Sequence, residues 1–479
     1  RFLVSLPPYN YDIISTYRLF NQTILMELLE RTHIGELAQH IGQIIRIRGR
    51  VDTIRDQGKI IFIMVRDRSG IVQTVAWFGD EDLFKTAKTL TAESVIDITG
   101  EVKEAKQVAC GYEIGIKTLN IDSLAQTPLP IAIEGEHVDN VTALDKRLDY
   151  RWVDLRSRRN QLMMDVATTM GASFRQYCVD NGCVEINAPR VISAASESGA
   201  NVFEVKYFDR KAYLAQSPQF HKQMGMASDL ERVFNMGPVF RAEKSFTTRH
   251  LTEYTSFDVE MAYIDSYKDV CHFEQEMLKK MLADVKAKYG DKVKEVFGID
   301  IKVPEGDFPY LTVAEAKEKL AKAGVESKDT GDFSPEEERA MGEIMEKETG
   351  SEFVFVVDYP YARRAFYHMR DSENPKIAMG FDLFWKGLEI TTGAQREHRI
   401  DVLKKNAVER GMELDGQLKD YLEYFEYGCP PHGGFGMGTE RVVMKMLDFG
   451  SILETTYLPN TPNRLGKLLS KITTGQAKA

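Results

Sequence analysis

Apolar and polar positions along this chain change their period twice. Residues 1 to about 38 carry a helical stripe through Ile24, Leu25, Leu28 and Leu29, which predicts an N-terminal helical extension. From Gln43 to about Leu129 the period drops to two, in the runs IIRIRGRV, KIIFIMVRDRSGIVQTVAW, SVIDITGEV and YEIGIKTLNIDSL, with a helical DLFKTAKTL before the fourth strand. Five short strands with one inserted helix predict an OB-fold β-barrel over residues 39–130, a fold that commonly binds single-stranded nucleic acid. TPLPI, around Pro128 and Pro130, closes it as a stiff segment leading into a linker over 131–150.

Beyond about Leu144 helices alternate with strands, which predicts an α+β domain built on an antiparallel sheet flanked by helices, covering 151–479. Residues 161–181 read as a helix, and VEINAPRVI as an extended run whose Pro189 belongs at an edge or interface. The charged stretch from about 270 to 348 reads as a helical insertion packed on the outside and offers no site residue.

The strongest pattern lies between Asn235 and Tyr263, two apolar-rich runs around a polar loop with Lys244, Arg249 and His250. Read as an antiparallel pair, alternation sets Arg241 and Glu243 on one face of the first strand, and Tyr254, Asp258 and Glu260 on one face of the second. Phe257, Val259 and Met261 take the opposite face. A guanidinium suits a phosphate, a ring stacks on a base, and carboxylates hold an ammonium group or a metal, so the set describes a site for a nucleotide and an amine. In QSPQFHKQ, Ser217 and Pro218 open a helix with Gln219, Lys222 and Gln223 on one face. MGFDLFWKGLEITTGAQR reads as a hairpin turning at Lys386 and Gly387, which pairs Phe384 with Glu389 and brings Asp382 to its diagonal. Two such carboxylates call for a shared cation, and magnesium with nucleotide phosphates supplies one. PPHGGFGMGTERVV reads as a glycine-rich approach to a helix holding Arg441; it matches neither a dinucleotide fingerprint nor a Walker loop.

Composition narrows the class. With 479 residues, 43% hydrophobic and 28% charged, the chain has material for two or three cores. No apolar run reaches the roughly 20 residues of a membrane span. Five scattered cysteines, Cys110, Cys178, Cys183, Cys271 and Cys429, point to a reducing cytoplasm and away from structural zinc. The net charge of -10 excludes a general polyanion-coating role, although Arg46, Arg48 and Arg50 share a strand face and Arg151, Arg156, Arg158 and Arg159 crowd one segment. The first residue is Arg1, which points to a native N-terminus lying upstream.

VEINAPRVI ending on Pro189, FRAE with RHLTEYTSFD, and GFGMGTER resemble the three motifs of class II aminoacyl-tRNA synthetases, and QSPQFHK, DYPYARRAFYHM and LEITTGAQREH are similar to aspartyl-tRNA synthetases of the eukaryotic and archaeal type. The resemblance covers the chain from about residue 40 onward. It implies formation of aspartyl-adenylate from aspartate and ATP, then transfer to tRNA. By that likeness Arg241, Glu243 and Arg441 are the catalytic set, with Arg241 on the α-phosphate. Arg249, His250, Leu251, Tyr254, Glu389 and Gly438 complete the ATP site, while Asp382, Glu389 and Thr392 organise Mg2+. Aspartate is bound by Glu197, Gln219, Lys222, Arg241, Asp258, Thr392 and Arg396. Phe62, Gln73 and Glu113 read the anticodon, Phe62 by stacking, and the segment around Pro189 forms a homodimer interface.

Several positions depart from the family pattern: Tyr254 for Phe, Thr392 for Ser, Ser198 for Gly, Ala365 and His368 for Pro and Thr, and Asn460 with Thr461 in place of an Arg-Asp pair. Two other readings stand beside the aspartate enzyme, an asparaginyl-tRNA synthetase and a non-catalytic nucleic-acid-binding paralogue. The cationic pair Lys222 and Arg396 disfavours the first, because a neutral amide leaves charge unneutralised; retention of Arg241, Arg441, Asp382 and Glu389 disfavours the second.

Overall fold

The computed structural model describes residues 29–133, 142–193, 201–244, 247–415 and 418–468. Most of the expected N-terminal helix, part of the expected linker, and Glu197 and Ser198 therefore lie outside the described residues. The chain divides into two units, Arg1–Pro130 and Ile131–Ala479.

In the first unit the described end of the expected helix is not α-helical. Arg31 forms a β-bridge with Arg46, and Ile34–His40 is a 3-10 helix whose Ile34 and Leu37 are buried in the barrel core. The barrel strands are β1 (Ile44–Asp56), β2 (Ile60–Arg66), β3 (Ile71–Trp77), β4 (Val95–Glu104) and β5 (Tyr112–Ser123), closed in the order β1-β2-β3-β5-β4. Helix α1 (Glu81–Lys88) sits between β3 and β4, capped by Asp80, whose side chain accepts from the Leu83 amide. In the all-apolar run of β2, whose pattern leaves the placement of Phe62 open, Ile61, Ile63 and Val65 fill the interior while Phe62 and Met64 point outward. The arginines of β1 are spoken for. Arg46 forks onto Asp97, Arg48 bonds Asp122, and Arg50 donates to the Glu93 carbonyl.

The second unit is organised, among the described residues, by an eight-stranded, mostly antiparallel sheet ordered β12-β13-β14-β15-β16-β11-β10-β6. These strands are β6 (Val184–Glu185), β10 (Arg232–Phe240), β11 (Glu253–Ala262), β12 (Tyr310–Thr312), β13 (Phe353–Val357), β14 (Gly380–Trp385), β15 (Leu388–Arg396) and β16 (His432–Gly438). A small side sheet holds β7 (Val191–Ile192), β8 (Glu204–Tyr207) and β9 (Arg210–Leu214). One face of the large sheet carries the core. Phe257, Val259 and Met261 of β11 pack there with helices α2 (Arg158–Asp180) and α4 (Tyr267–Phe297), and Phe174 stacks on Phe257 at 4.3 Å between centroids. Each such side chain contributes roughly 1.5–3 kcal/mol. The opposite face is covered by α3 (Gln219–Ala227) and leaves room for a site.

Two elements differ from the sequence reading. The stretch 270–348 is helical but not confined to the outside: α4 is a core helix, β12 joins the large sheet, α5 (Val313–Lys322) follows it, and α6 (Pro335–Thr349) buries Glu337 and Glu338. The glycine-rich run before α9 (Thr439–Met446) is the central strand β16, not a loop. The reason is steric. A β-carbon at Gly434 would lie 2.1 Å from the Val259 carbonyl oxygen and 2.3 Å from Glu260 Oε2, so only glycine lets these strands pair with that carboxylate between them. Between β16 and β15 in sequence come helices α7 (Ile400–Glu409) and α8 (Lys419–Glu426), the latter stacking Tyr421 on Phe220 of α3.

Candidate active site on the open face of the sheet

The β10–β11 hairpin forms as expected, with Asn235 opposite Asp258 and Val239 opposite Tyr254. Asp258 also faces Gly436 of β16, which faces Thr392 of β15. The β14–β15 hairpin turns at Lys386 and Gly387, both at positive φ, and Phe384 pairs with Glu389 as read. A register shift beyond Phe384 then sets Thr392, not Thr391, opposite Asp382. The open face thus presents one continuous row from Tyr254 and Glu389 to Glu260 and Arg396.

Its first half is a cleft open to solvent, with about 590 Å³ of empty space. The residues expected at a nucleotide, Arg241, Glu243, Arg249, His250, Leu251, Tyr254, Glu389, Gly438 and Arg441, all line it, together with Thr392 and Glu440. The Arg241 guanidinium lies 5.6 Å from the centre of the Tyr254 ring. Arg441 donates to the Glu389 carbonyl at 2.8 Å and reaches its carboxylate at 3.3 Å. Burial, and then the neighbouring Asp382, push the Glu389 carboxyl up to about 7. Burial lowers the His250 imidazole, and Arg441 lowers it further.

Two residues of this half escaped the sequence reading. Glu338, in the first turn of α6, forms an ion pair with Arg249 and lies 3.4 Å from the Glu389 amide. Arg364 forks onto both oxygens of Asp382, at 3.0 and 2.7 Å, with its guanidinium 3.7 Å from the Tyr359 ring centre. The only hint in the sequence was that Arg364 falls in DYPYARRAFYHM. For a cation, the oxygens of Glu389 and Thr392 stand 3.4 Å apart beside Asp382. An all-oxygen set containing a carboxyl that resists ionisation fits magnesium with phosphates, which would relieve that resistance.

The second half is buried. Lys222, 1% exposed in its side chain, sits 3.1 Å from Asp258 and 3.3 Å from Glu260 and donates to the Phe435 carbonyl at 3.0 Å. Arg396 donates to Glu260 at 2.9 Å, to the Gly434 carbonyl at 2.9 Å and to Gln219 at 3.3 Å. Burial works against the charge of Glu260, but Arg396 and Lys222 hold its carboxyl below the usual range. Below it His432 is driven down to about 4 by burial, so it stays neutral: Nδ1 donates to the Pro430 carbonyl and Nε2 accepts from Gln223. This corrects the expectation that Lys222 and Arg396 form an unneutralised pair. Two cations face two carboxylates, and Glu260, set on the right face by alternation but given no role, is their shared partner. Asp258 keeps one buried carboxylate oxygen without a hydrogen bond among the described residues.

The remaining expected positions belong to other elements. In the barrel, Gln73 donates to Glu113 at 2.8 Å, and Arg55 sits over Phe62 at 5.9 Å, so the three anticodon candidates share the outward side of β2, β3 and β5, where Gln73 is itself covered. Pro189 is exposed between β6 and β7. Asn460, one of the departures, bonds Glu253 at 2.8 Å and ties the C-terminal segment to the start of β11.

Residues 143–462 match the family model for class II tRNA synthetases (D, K and N), and residues 45–122 that for an OB-fold nucleic acid binding domain. The Aspartate--tRNA(Asp/Asn) ligase of Aeropyrum pernix is 39% identical over 429 residues, 89% of this chain and 96% of that protein. The Aspartate--tRNA(Asp) ligase of Pyrococcus abyssi is 38% identical over 440 residues, 91% of this chain and 99% of that protein. Among solved structures, asparaginyl-tRNA synthetase from Pyrococcus horikoshii complexed with asparaginyl-adenylate superposes with a TM-score of 0.85 at 31% identity, covering 91% of this chain and all of that one. Among the described residues no helix is long and apolar enough to cross a membrane.

Proposed function

The chain belongs to the class II tRNA synthetases of the D, K and N group, and we propose that it activates aspartate with ATP and passes the aspartyl group to tRNA. The observation that carries the choice of amino acid is the buried quartet Lys222, Arg396, Asp258 and Glu260, on the same sheet face as the nucleotide cavity.

In this reading Asp258 turns its second oxygen to the substrate ammonium, a role the family resemblance also gives Glu197, and Lys222 is thereby released to the side-chain carboxylate. Arg396, braced by Glu260 and Gln219, takes the other carboxylate oxygen. The α-carboxylate oxygen attacks the α-phosphorus, a new P–O bond forms and the bond to pyrophosphate breaks. Arg241 stabilises charge developing on the α-phosphate, an electrostatic role needing no covalent enzyme intermediate. Tyr254 and Arg441 hold the adenine between them, Arg249 and His250 meet the outer phosphates, and Glu243 and Leu251 line the same wall. When bound, Mg2+ held by Asp382, Glu389 and Thr392 supplies neutralisation of the phosphate charge. The ribose hydroxyl of the terminal adenosine of tRNA then takes the aspartyl group and AMP leaves. Asparagine is the poorer substrate, because its amide offers N–H groups to a pocket whose reach toward the side chain is made of donors.

The outward surface of Phe62, Gln73 and Glu113 reads the anticodon by stacking and hydrogen bonding. The exposed stretch through Pro189, flanked by the exposed Val184 and Val191, forms a homodimer contact. The protein works in the cytoplasm. Amino-acid-dependent exchange of labelled pyrophosphate into ATP, run without tRNA with aspartate, asparagine and lysine, tests the reading. Exchange with aspartate alone is expected; exchange with asparagine assigns the sister specificity, and none with any of them overturns catalysis. Phe62→Ala should leave that exchange intact while lowering tRNA charging about tenfold, the worth of one stacked base. Loss of exchange would show that the barrel surface is structural only.

A further inference from the structure

One side chain on the buried half of the sheet face has a nitrogen that no group among the described residues satisfies. His368 lies beyond the turn Tyr361–Arg363 and is joined to Arg396 by a β-bridge between their backbones; it is 4% exposed. Its Nε2 stands 3.2 Å from Arg396 Nη1. A guanidinium offers only donors, so Nε2 must accept there and the ring proton must sit on Nδ1. Burial, and then Arg396, hold the imidazole well below its ordinary basicity, so the ring is neutral. Nδ1–H is buried with no hydrogen-bond partner among the described residues.

That nitrogen lies against the open face of the sheet. A β-carbon built on Gly380 would lie 3.3 Å from Nδ1. Gly380 precedes Asp382 by two along β14, so it shares that residue's face, and it pairs with Ala394, two residues before Arg396 on β15. The nitrogen therefore hangs over the open face, in the corner between Asp382 and Arg396. A buried donor left unpaired costs free energy unless a ligand brings an acceptor.

We propose that His368 is a specificity-determining residue of the amino-acid pocket: Nδ1–H donates to a side-chain carboxylate oxygen of the bound substrate, while Nε2 fixes the Arg396 guanidinium. This rests on the reading that the chain activates aspartate. Lys222, Arg396 and His368 then surround the side chain with donors, and a carboxylate satisfies all three where an amide turns its own N–H against one of them.

Pyrophosphate exchange by wild-type protein comes first, since its failure with aspartate overturns the functional reading and not the histidine. With that activity in hand, His368→Ala, His368→Asn and His368→Gln are compared. An asparagine amide can place an N–H where Nδ1 stood; a glutamine reaches only toward the Nε2 position. His368→Ala should raise the aspartate KM about tenfold and narrow the preference over asparagine by a similar factor, with the ATP KM within twofold of wild type. His368→Asn should recover most of that loss and His368→Gln much less. An unchanged aspartate KM, an equal loss for ATP, or full rescue by His368→Gln alone would overturn the proposal. Should His368→Ala not fold, nitrogen-15 NMR of the wild-type imidazole decides: the Nδ1–H tautomer, with a proton resonance that moves when aspartate binds, is expected, and the Nε2–H tautomer overturns it.

Discussion

The two halves of the sheet face solve opposite electrostatic problems with the same residue types. In the half proposed for the nucleotide two ionic pairs are partly wet, Arg441 and Glu389 at 23% and 36% exposed in their side chains and Arg249 and Glu338 at 17% and 11%, while Arg364 and Asp382 are drier at 11% and 6%. In the amino-acid half Lys222 and Asp258 are 1% and 3% exposed, and Arg396 and Glu260 4% and 0%. Pairs in a high-dielectric cavity exchange partners cheaply, whereas a buried charge stripped of its partner costs several kcal/mol. A polyphosphate that arrives and leaves as pyrophosphate needs partners of the first kind. A zwitterion distinguished from its amide needs the second, because discrimination depends on leaving a wrong group unpaired in a dry place.

The largest effect should come from breaking the buried half. Lys222→Met removes a cation held among Asp258, Glu260 and two backbone carbonyls. Loss of a buried charged contact worth about 4 kcal/mol corresponds to a fall of roughly 10³ in kcat/KM for aspartate. The ATP KM should stay within about threefold, measured by pyrophosphate exchange beside a melting curve that confirms folding. If both substrates suffer alike, the two halves are one electrostatic unit and the contrast fails.

How much of this was readable in the chain follows the same division of labour. The β10–β11 hairpin was legible because half-buried strands must alternate, as Phe257, Val259 and Met261 do against Asp258 and Glu260, whereas the all-apolar run around Phe62 in the barrel did not show which face was inside. β16 was not. Its glycines signal a loop by propensity, and only the neighbouring Glu260 carboxylate explains why a strand needs them. Glu338 was hidden among Glu336 and Glu337, three acids that all suit a helix N-terminus, so no pattern could tell which one reaches Arg249. Arg363 and Arg364 are adjacent, yet one meets Asp329 at the surface and the other is buried on Asp382. Sequence showed which groups could carry charge; which of them neutralise each other is a long-range fact of the fold.

A smaller effect should come from the wet half. Glu338→Gln frees Arg249 and removes a carboxylate that burial already holds above its usual range and that Arg249 only partly restores. With less negative charge facing the triphosphate, the ATP KM should fall about threefold, in the range of one exposed ion pair, and the aspartate KM should not move. A rise in the ATP KM would mean that Glu338 holds Arg249 in its productive place.

The least effect on catalysis, but a clear one on stability, belongs to Glu274 of α4, fully buried on the core side of β15. Burial pushes its carboxyl up to about 8, with Asp382 adding to the shift and Thr391 opposing it. Because the folded value lies above the unfolded one, its contribution to stability is complete below about pH 4.3 and is lost as pH rises through about 8. Between pH 5.5 and 8.5 the wild-type protein should lose roughly 3 kcal/mol through this group, read by urea unfolding at the two pH values. Glu274→Gln keeps the neutral shape and should flatten that slope, leaving both substrate KM values unchanged. A shifted ATP KM in the variant would carry Glu274 across the sheet in function, making the field beneath β15 part of the nucleotide half. An unchanged slope would mean that Glu274 stays ionised in the fold and that the buried side of the sheet tolerates charge as the wet cavity does.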